Sequence, residues 1–211
     1  MRNILLCAAL FLMMFSSCTT KPTMVACVGD SITEGAKHKW QSKTAYPRVL
    51  GDLLGKDFSV VNCGRSGTTA LKESNFTYWK CNEFSNVFAV HPGVITIKLG
   101  TNDSKPGNWN TERFKKDYQS LIDTFLTIQP KPQIYLCCPV PVFEHSRFRI
   151  RGEVVTNEVI PLIKSLAEEN NLPLIDLYKP FLGKGDLVPD GVHPEAEGAA
   201  LIAEIISKQI N

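Results

Sequence analysis

From Met24 onward the chain alternates short apolar runs with segments of helical spacing, and few architectures accept that pattern. Met24–Val28 is a continuous apolar run, as expected of a strand covered on both faces. Tyr46–Leu54 follows with helical spacing through Tyr46, Val49, Leu50, Leu53 and Leu54, and Pro47 suits its first turn. The same reading continues with strands at Phe58–Val61, Val94–Leu99, Gln133–Cys138 and Leu172–Asp176. Between and after them it predicts helices at Asn82–Val90, Thr111–Ile128, Val154–Asn170 and Glu195–Ile210. Thr111 can cap the third helix, whose apolar face is Phe114, Tyr118, Leu121, Ile122 and Phe125. Strands that alternate with helices form parallel sheets with helices on both faces. Right-handed crossovers then leave few topologies. The expectation is a three-layer α/β/α domain on a flavodoxin-like parallel five-stranded sheet, order 2-1-3-4-5.

In such a sheet ligands gather beyond the carboxyl ends of the strands, and the polar residues of this chain collect there. Ser31 follows strand one, Gly64 follows strand two and Asn102 follows strand three. Asp190 and His193 follow strand five after the insertion Leu177–Pro189. A serine hydroxyl is a weak nucleophile unless a base takes its proton. His193 can be that base, with Asp190 fixing its tautomer and orientation. Each residue alone has a plainer reading. Ser31 can be a helix cap, and Asp190-Gly191-Val192-His193-Pro194 can be a capping turn before the last helix. Asn62-Cys63-Gly64-Arg65-Ser66-Gly67 can be an ordinary strand-to-helix turn, and Asn102 a turn asparagine bonded to its own backbone. Taken together they fit acyl transfer: Ser31 as nucleophile, with Gly64 and Asn102 as donors to a developing oxyanion. Asp103 fits an ordering role in its loop. Lys98, near the end of a central strand, needs a partner, and Asp30 on the neighbouring strand is the candidate.

Gly29-Asp30-Ser31-Ile32-Thr33, Asn62-x-Gly64-x-Ser66-Gly67, Gly100-Thr101-Asn102-Asp103 and Asp190-Gly191-Val192-His193-Pro194 occur in that order. They resemble the four blocks of the SGNH hydrolases, also called the GDSL esterase/lipase superfamily, and the likeness runs from Val25 to about Ile210. Ile32 stands where that superfamily usually has leucine. The resemblance implies Ser31, Asp190 and His193 as catalytic triad, an oxyanion hole of the Ser31 N–H, Gly64 and Asn102, and no cofactor or metal. It leaves the substrate open among acyl esters and thioesters of lipids, coenzyme A, sugars and polysaccharides.

Substrate hints come from the loops. The three tryptophans, Trp40, Trp79 and Trp109, follow strands one, two and three, with Tyr78 beside Trp79. Flat rings there suit stacking on sugars, with Trp79 and Trp109 as candidate substrate contacts; packing on the core is the alternative. After strand four, Arg147, Arg149 and Arg151 alternate with Phe148 and Ile150, so an extended stretch would put all three arginines on one face. Arg147 or Arg149 could then clamp a carboxylate; a solvated charge run is the alternative. The stretch Lys98 to Trp109 is similar to secreted bacterial carbohydrate esterases of the superfamily, some acting on acetylated sialic acids. The leading expectation is a serine esterase that removes small acyl groups, acetyl first, from carbohydrate. The alternatives are a lysophospholipase or thioesterase, an inactive glycan-binding lipoprotein, and a metal-dependent phosphoesterase using Asp30, Asp103, Asp190 and His193.

The N-terminus carries a targeting pattern: Met1-Arg2-Asn3, an apolar run from Ile4 to Phe15, then Ser16-Ser17-Cys18. The run is short for a membrane span, and Phe-Ser-Ser-Cys resembles a bacterial lipobox. The expectation is a signal peptide over residues 1–17, a tether over 18–23 lipidated at Cys18, and one hydrolase domain over 24–211, exported to a bacterial envelope and held at a membrane by its lipid. An ordinary secretory signal with a chance cysteine is the alternative. Beyond Cys7 and Cys18 five cysteines remain, Cys27, Cys63, Cys81, Cys137 and Cys138. Their odd count and spacing argue against a disulfide scaffold and offer no zinc pattern. A Cys63–Cys81 bridge stays open. With 23 basic and 21 acidic residues, the charge balance gives no sign of a nucleic-acid partner.

Overall fold

The predicted apolar runs form one parallel sheet in a computed structural model, described over residues 21–36, 44–144, 146 and 148–210. The strands are β1 (Thr23–Gly29), β2 (Phe58–Gly64), β3 (Val94–Lys98), β4 (Gln133–Cys138) and β5 (Leu174–Asp176). Their order is β2-β1-β3-β4-β5, as expected, and every pair is parallel. The helices are α1 (Ser31–Glu34), α2 (Tyr46–Leu54), α3 (Asn82–Ala89), α4 (Thr111–Phe125), α5 (Gly152–Val154), α6 (Ile160–Glu169) and α7 (Ala196–Ile210).

Side chains alternate across a strand, so β1 feeds two cores. Ala26 and Val28 join Ile95, Ile97, Ile134 and Leu136 under α3, α4 and α6. Val25 and Cys27 join Cys137 and Ile175 on the other face, under Leu50 of α2 and Ile202 and Ile206 of α7. The sheet is thus covered on both sides, which is why its strands read as apolar runs without alternation.

The differences from expectation have local causes. Asn110, not Thr111, caps α4: its side chain accepts from the Arg113 N–H at 2.9 Å, while the Thr111 hydroxyl donates to Glu158. The helix expected over Val154–Asn170 contains a π turn, Val155–Val159. That turn lies just ahead of Pro161, which has no N–H to continue an α-helical ladder. β2 runs three residues past Val61, to Gly64, and this changes the reading of the oxyanion donors below. Cys63 and Cys81 are free thiols, as are Cys27, Cys137 and Cys138. Residues 1–20, with the expected signal peptide and Cys18, lie outside the described residues, as do Trp40 and Arg147. Among the described residues no helix is long and apolar enough to cross a membrane.

Candidate active site

β1 ends at Gly29, and Asp30 caps the short helix α1 by accepting the Ile32 N–H at 3.0 Å. Ser31 is therefore the first residue of a helix, buried except for its approach from the carboxyl edge of the sheet. Its Oγ lies 2.9 Å from His193 Nε2. His193 Nδ1 lies 2.9 Å from Asp190 Oδ2. The other oxygen of Asp190 accepts the backbone N–H groups of Val192 at 3.0 Å and His193 at 2.7 Å. Asp190 thus holds both the ring and the backbone of the histidine, which fixes the imidazole toward Ser31. The structure brings these three residues together across 162 positions of sequence. Phe148 stands edge-on to the His193 ring, centroids 4.9 Å apart.

Ser31, His193 and Asn102 line a pocket of about 340 Å³ with Gly67, Lys105 and Phe148. Asn102 gives one amide hydrogen to the Thr68 carbonyl at 3.2 Å, which leaves the other for a ligand. The Ser31 N–H begins a helix, where no carbonyl one turn earlier can accept it.

Gly64 does not take the place expected of it. Its N–H donates to Asn62 Oδ1 at 2.9 Å, and it does not line the Ser31 pocket. It ends β2 opposite Gly29, where a Cβ would run into the backbone of Thr33 and Glu34. Its smallness serves close packing of strand against α1. The neighbouring N–H groups are also taken: Arg65 donates to Gly29 O, Ser66 to Glu34 Oε2 and Thr68 to Arg65 O. Gly67 alone in this turn has an N–H without a partner among the described residues, and its φ of 80° is one that glycine adopts without strain. Gly67 replaces Gly64 as the candidate oxyanion donor. Both glycines stand in the quoted block, and only the hydrogen-bond pattern tells them apart.

The two described tryptophans turn away from the pocket. Trp79 packs on Phe84 at 5.4 Å and donates its ring N–H to Ala70 O at 2.8 Å. Trp109 packs on Phe114 at 5.1 Å and donates to Glu158 at 2.7 Å. An indole gains more by burying its ring with its N–H satisfied than by facing water, so the expected sugar platform gives way to core packing. The arginine stretch is not extended either. Arg149 has a φ of 57°, and the Arg151 Nε donates to Ser104 O at 2.6 Å. Arg149 borders a hollow adjoining the Ser31 pocket. Lys105, Phe148 and Ile150 line the Ser31 pocket without having been singled out as site residues. Phe148 and Ile150 carried a signal, since they alternate with the arginines of that stretch.

The acidic residues near the site have other engagements. Asp30 pairs with Lys98, as the sequence suggested, at 2.8 Å. Asp103 accepts N–H bonds from Leu71 at 3.0 Å and Ala70 at 3.2 Å, ordering the loop beside Asn102. Burial pushes its carboxyl up to about 7, against the pull of those N–H groups. With Asp190 on His193, these carboxylates do not converge as a phosphoesterase metal site requires, and no other such group occurs among the described residues.

A model of the GDSL-like lipase/acylhydrolase family matches residues 27–201. An acetylxylan esterase of Xylanibacter ruminicola is 37% identical over 205 residues, which cover 88% of this chain and 42% of that protein. The chain therefore spans less than half the length of that relative. Thioesterase 1/protease 1/lysophospholipase L1 of Escherichia coli is 22% identical over 95% of this chain and 89% of its own. Among solved structures, the acetyl xylan esterase AlAXEase superposes with a TM-score of 0.73 at 22% identity, covering 89% of this chain and all of that one.

Proposed function

The chain belongs to the GDSL-like lipase/acylhydrolase family, and from that premise we propose that it is a serine esterase that removes acetyl groups from carbohydrate. The observation that carries the reading is the line Ser31 Oγ, His193 Nε2, His193 Nδ1, Asp190 Oδ2, with 2.9 Å at each step between residues, opening on a pocket with unpartnered N–H donors. Ser31 attacks the ester carbonyl while His193 Nε2 takes its proton. The oxyanion of the tetrahedral intermediate accepts from the Ser31 and Gly67 N–H groups and from Asn102 Nδ2. His193 then protonates the departing sugar oxygen, which leaves as a hydroxyl, and a water activated by the same nitrogen releases acetate from Ser31. Asp190 supports the imidazolium in both halves.

The preference for an acetyl group rests on the likeness to a relative named for removing acetyl groups. The carbohydrate part rests on the likeness to the acetylxylan esterase. O-acetylated sialic acids belong to the same substrate class. The second reading, a lysophospholipase or thioesterase, draws on the Escherichia coli relative. Acetate release from acetylated xylo-oligosaccharides and O-acetyl sialic acids, beside turnover of acetyl and long-chain acyl aryl esters, separates the readings. Acetyl turnover that disappears in a folded Ser31→Ala variant is the expected result. Faster hydrolysis of long chains favours the second reading. Undiminished turnover by Ser31→Ala overturns the mechanism, and an inert wild-type protein points to a glycan-binding role.

The basic start, the apolar run from Ile4 to Phe15 and Ser16-Ser17-Cys18 support export and lipidation at Cys18, which would hold the enzyme at a membrane of the bacterial envelope. Mass spectrometry of the mature N-terminus tests this, with Cys18→Ser expected to release the protein or block processing.

A further inference from the structure

A second hollow, of about 260 Å³, adjoins the Ser31 pocket and shares Gly67, Lys105 and Phe148 with it. Arg149, Asn75 and Asn108 also line it. No aspartate or glutamate lines either hollow. Lys105 is half-buried, and its ammonium has neither hydrogen bond nor ion pair among the described residues. Arg149 is exposed and has no ion pair among the described residues. A half-buried cation with no partner is unfavourable, and the burial of Lys105 accordingly lowers its pKa. Half-buried Lys105, whose pKa falls by burial against the pull of the Asp30 carboxylate, and exposed Arg149 line one hollow beside a nucleophile, which describes a site for an anion that arrives with the ester.

We propose that the hollow lined by Lys105 and Arg149 is a carboxylate subsite, which holds the acid group of an acetylated sugar acid while its ester lies at Ser31. The proposal rests on the esterase reading above and adds the substrate's charge. Lys105 borders both hollows, so its point charge can follow the carboxylate into place. The guanidinium of Arg149 can engage both carboxylate oxygens. Asn108 already gives an amide hydrogen to Asn102 O at 3.2 Å, which leaves its own oxygen to accept a sugar hydroxyl. Phe148 offers an apolar face to the ring between the two ends. Lys105 can be replaced without disturbing the turn it belongs to, because that turn is held by its backbone: its N–H donates to Asn102 O and its carbonyl accepts from Asn108 and Trp109.

The test compares kcat/KM for an O-acetylated methyl glucuronoside and an O-acetylated sialic acid methyl glycoside with that for the uncharged carboxamide of each. Wild-type protein should favour at least one acid over its amide by about tenfold or more, and added salt should narrow the preference. Lys105→Met and Arg149→Ala should each reduce that acid-to-amide ratio by about tenfold, and Lys105→Arg should restore most of it. A wild-type ratio near one for both sugars overturns the proposal, as does a ratio that neither substitution moves. Turnover of p-nitrophenyl acetate by the same wild-type preparation keeps the two readings apart. If it is absent, the esterase reading fails; if it is present with a ratio near one, only the carboxylate subsite fails. Should Lys105→Met fold poorly, Arg149→Ala carries the comparison.

Discussion

Lys98 Nζ lies 2.8 Å from Asp30 Oδ1, and neither side chain is exposed to solvent. The pair joins the ends of two neighbouring strands directly beneath the nucleophile, since the same oxygen of Asp30 also accepts the Ile32 N–H that starts α1. The other oxygen, Oδ2, is buried without a hydrogen-bond partner. Lys98 is therefore the cation that compensates this carboxylate.

Removing it should be costly. Breaking a buried ion pair from one side leaves an uncompensated charge, which destabilises by about 3–5 kcal/mol. Lys98→Met should lower the urea midpoint accordingly, and a second substitution, Asp30→Asn, should recover part of the loss. A single variant as stable as wild type would show that the pair contributes nothing to the fold.

Asn102→Ala should lower kcat on p-nitrophenyl acetate by about 10²–10³-fold with a much smaller change in KM, as for loss of one oxyanion donor. Thermal unfolding serves as a control, because Asn102 also bonds Thr68 O. An effect confined to KM would make Asn102 a binding residue.

Asp103 predicts a pH dependence of stability. Its carboxyl is raised by burial from 3.8 to about 7, so between those values the folded state keeps a proton that the unfolded chain has lost. The stability it contributes is full below about pH 4 and is lost as pH rises through about 7. About three units at 1.36 kcal/mol each give a range on the order of 4 kcal/mol. The stability difference between wild type and Asp103→Asn, read from urea unfolding at pH 4 and pH 8, should shift toward the variant at the higher pH. A difference that does not vary with pH would show that Asp103 titrates near its ordinary value.

Thiol labelling reports on the core. Burial pushes the Cys27, Cys63 and Cys138 thiols up to about 12 and raises Cys137 as well. Cys81 is raised too but is only half-buried. Since the thiolate is the reactive form, brief treatment of native protein with iodoacetamide should modify Cys81 ahead of the other four, as read by peptide mass mapping. Equal labelling of Cys27 and Cys81 would contradict the packing of β1 between the two helical layers.

What the chain determined by itself is what repeats or lies close in sequence. Uninterrupted apolar runs between helical segments specify a parallel sheet covered on both faces, and right-handed crossovers then limit its order. Asp190 and His193, three residues apart in one turn, were legible as a unit, and so was Ser31 at the end of a buried strand. Even the Lys98–Asp30 pair could be anticipated, because a lysine on a central strand must find a carboxylate within reach. Tertiary structure decided whatever depends on which partner a group finds far along the chain. Gly64 and Gly67 look alike in sequence, yet Asn62, Gly29, Glu34 and Arg65 accept the other N–H groups of their turn and leave that of Gly67 to the pocket. Trp79 and Trp109 were placed correctly on their loops and wrongly toward the substrate, because Ala70 and Glu158 take their indole N–H groups on the core side. Local spacing tells which face of an element is apolar, but where a loop side chain points is set by long-range hydrogen bonds that no local pattern encodes.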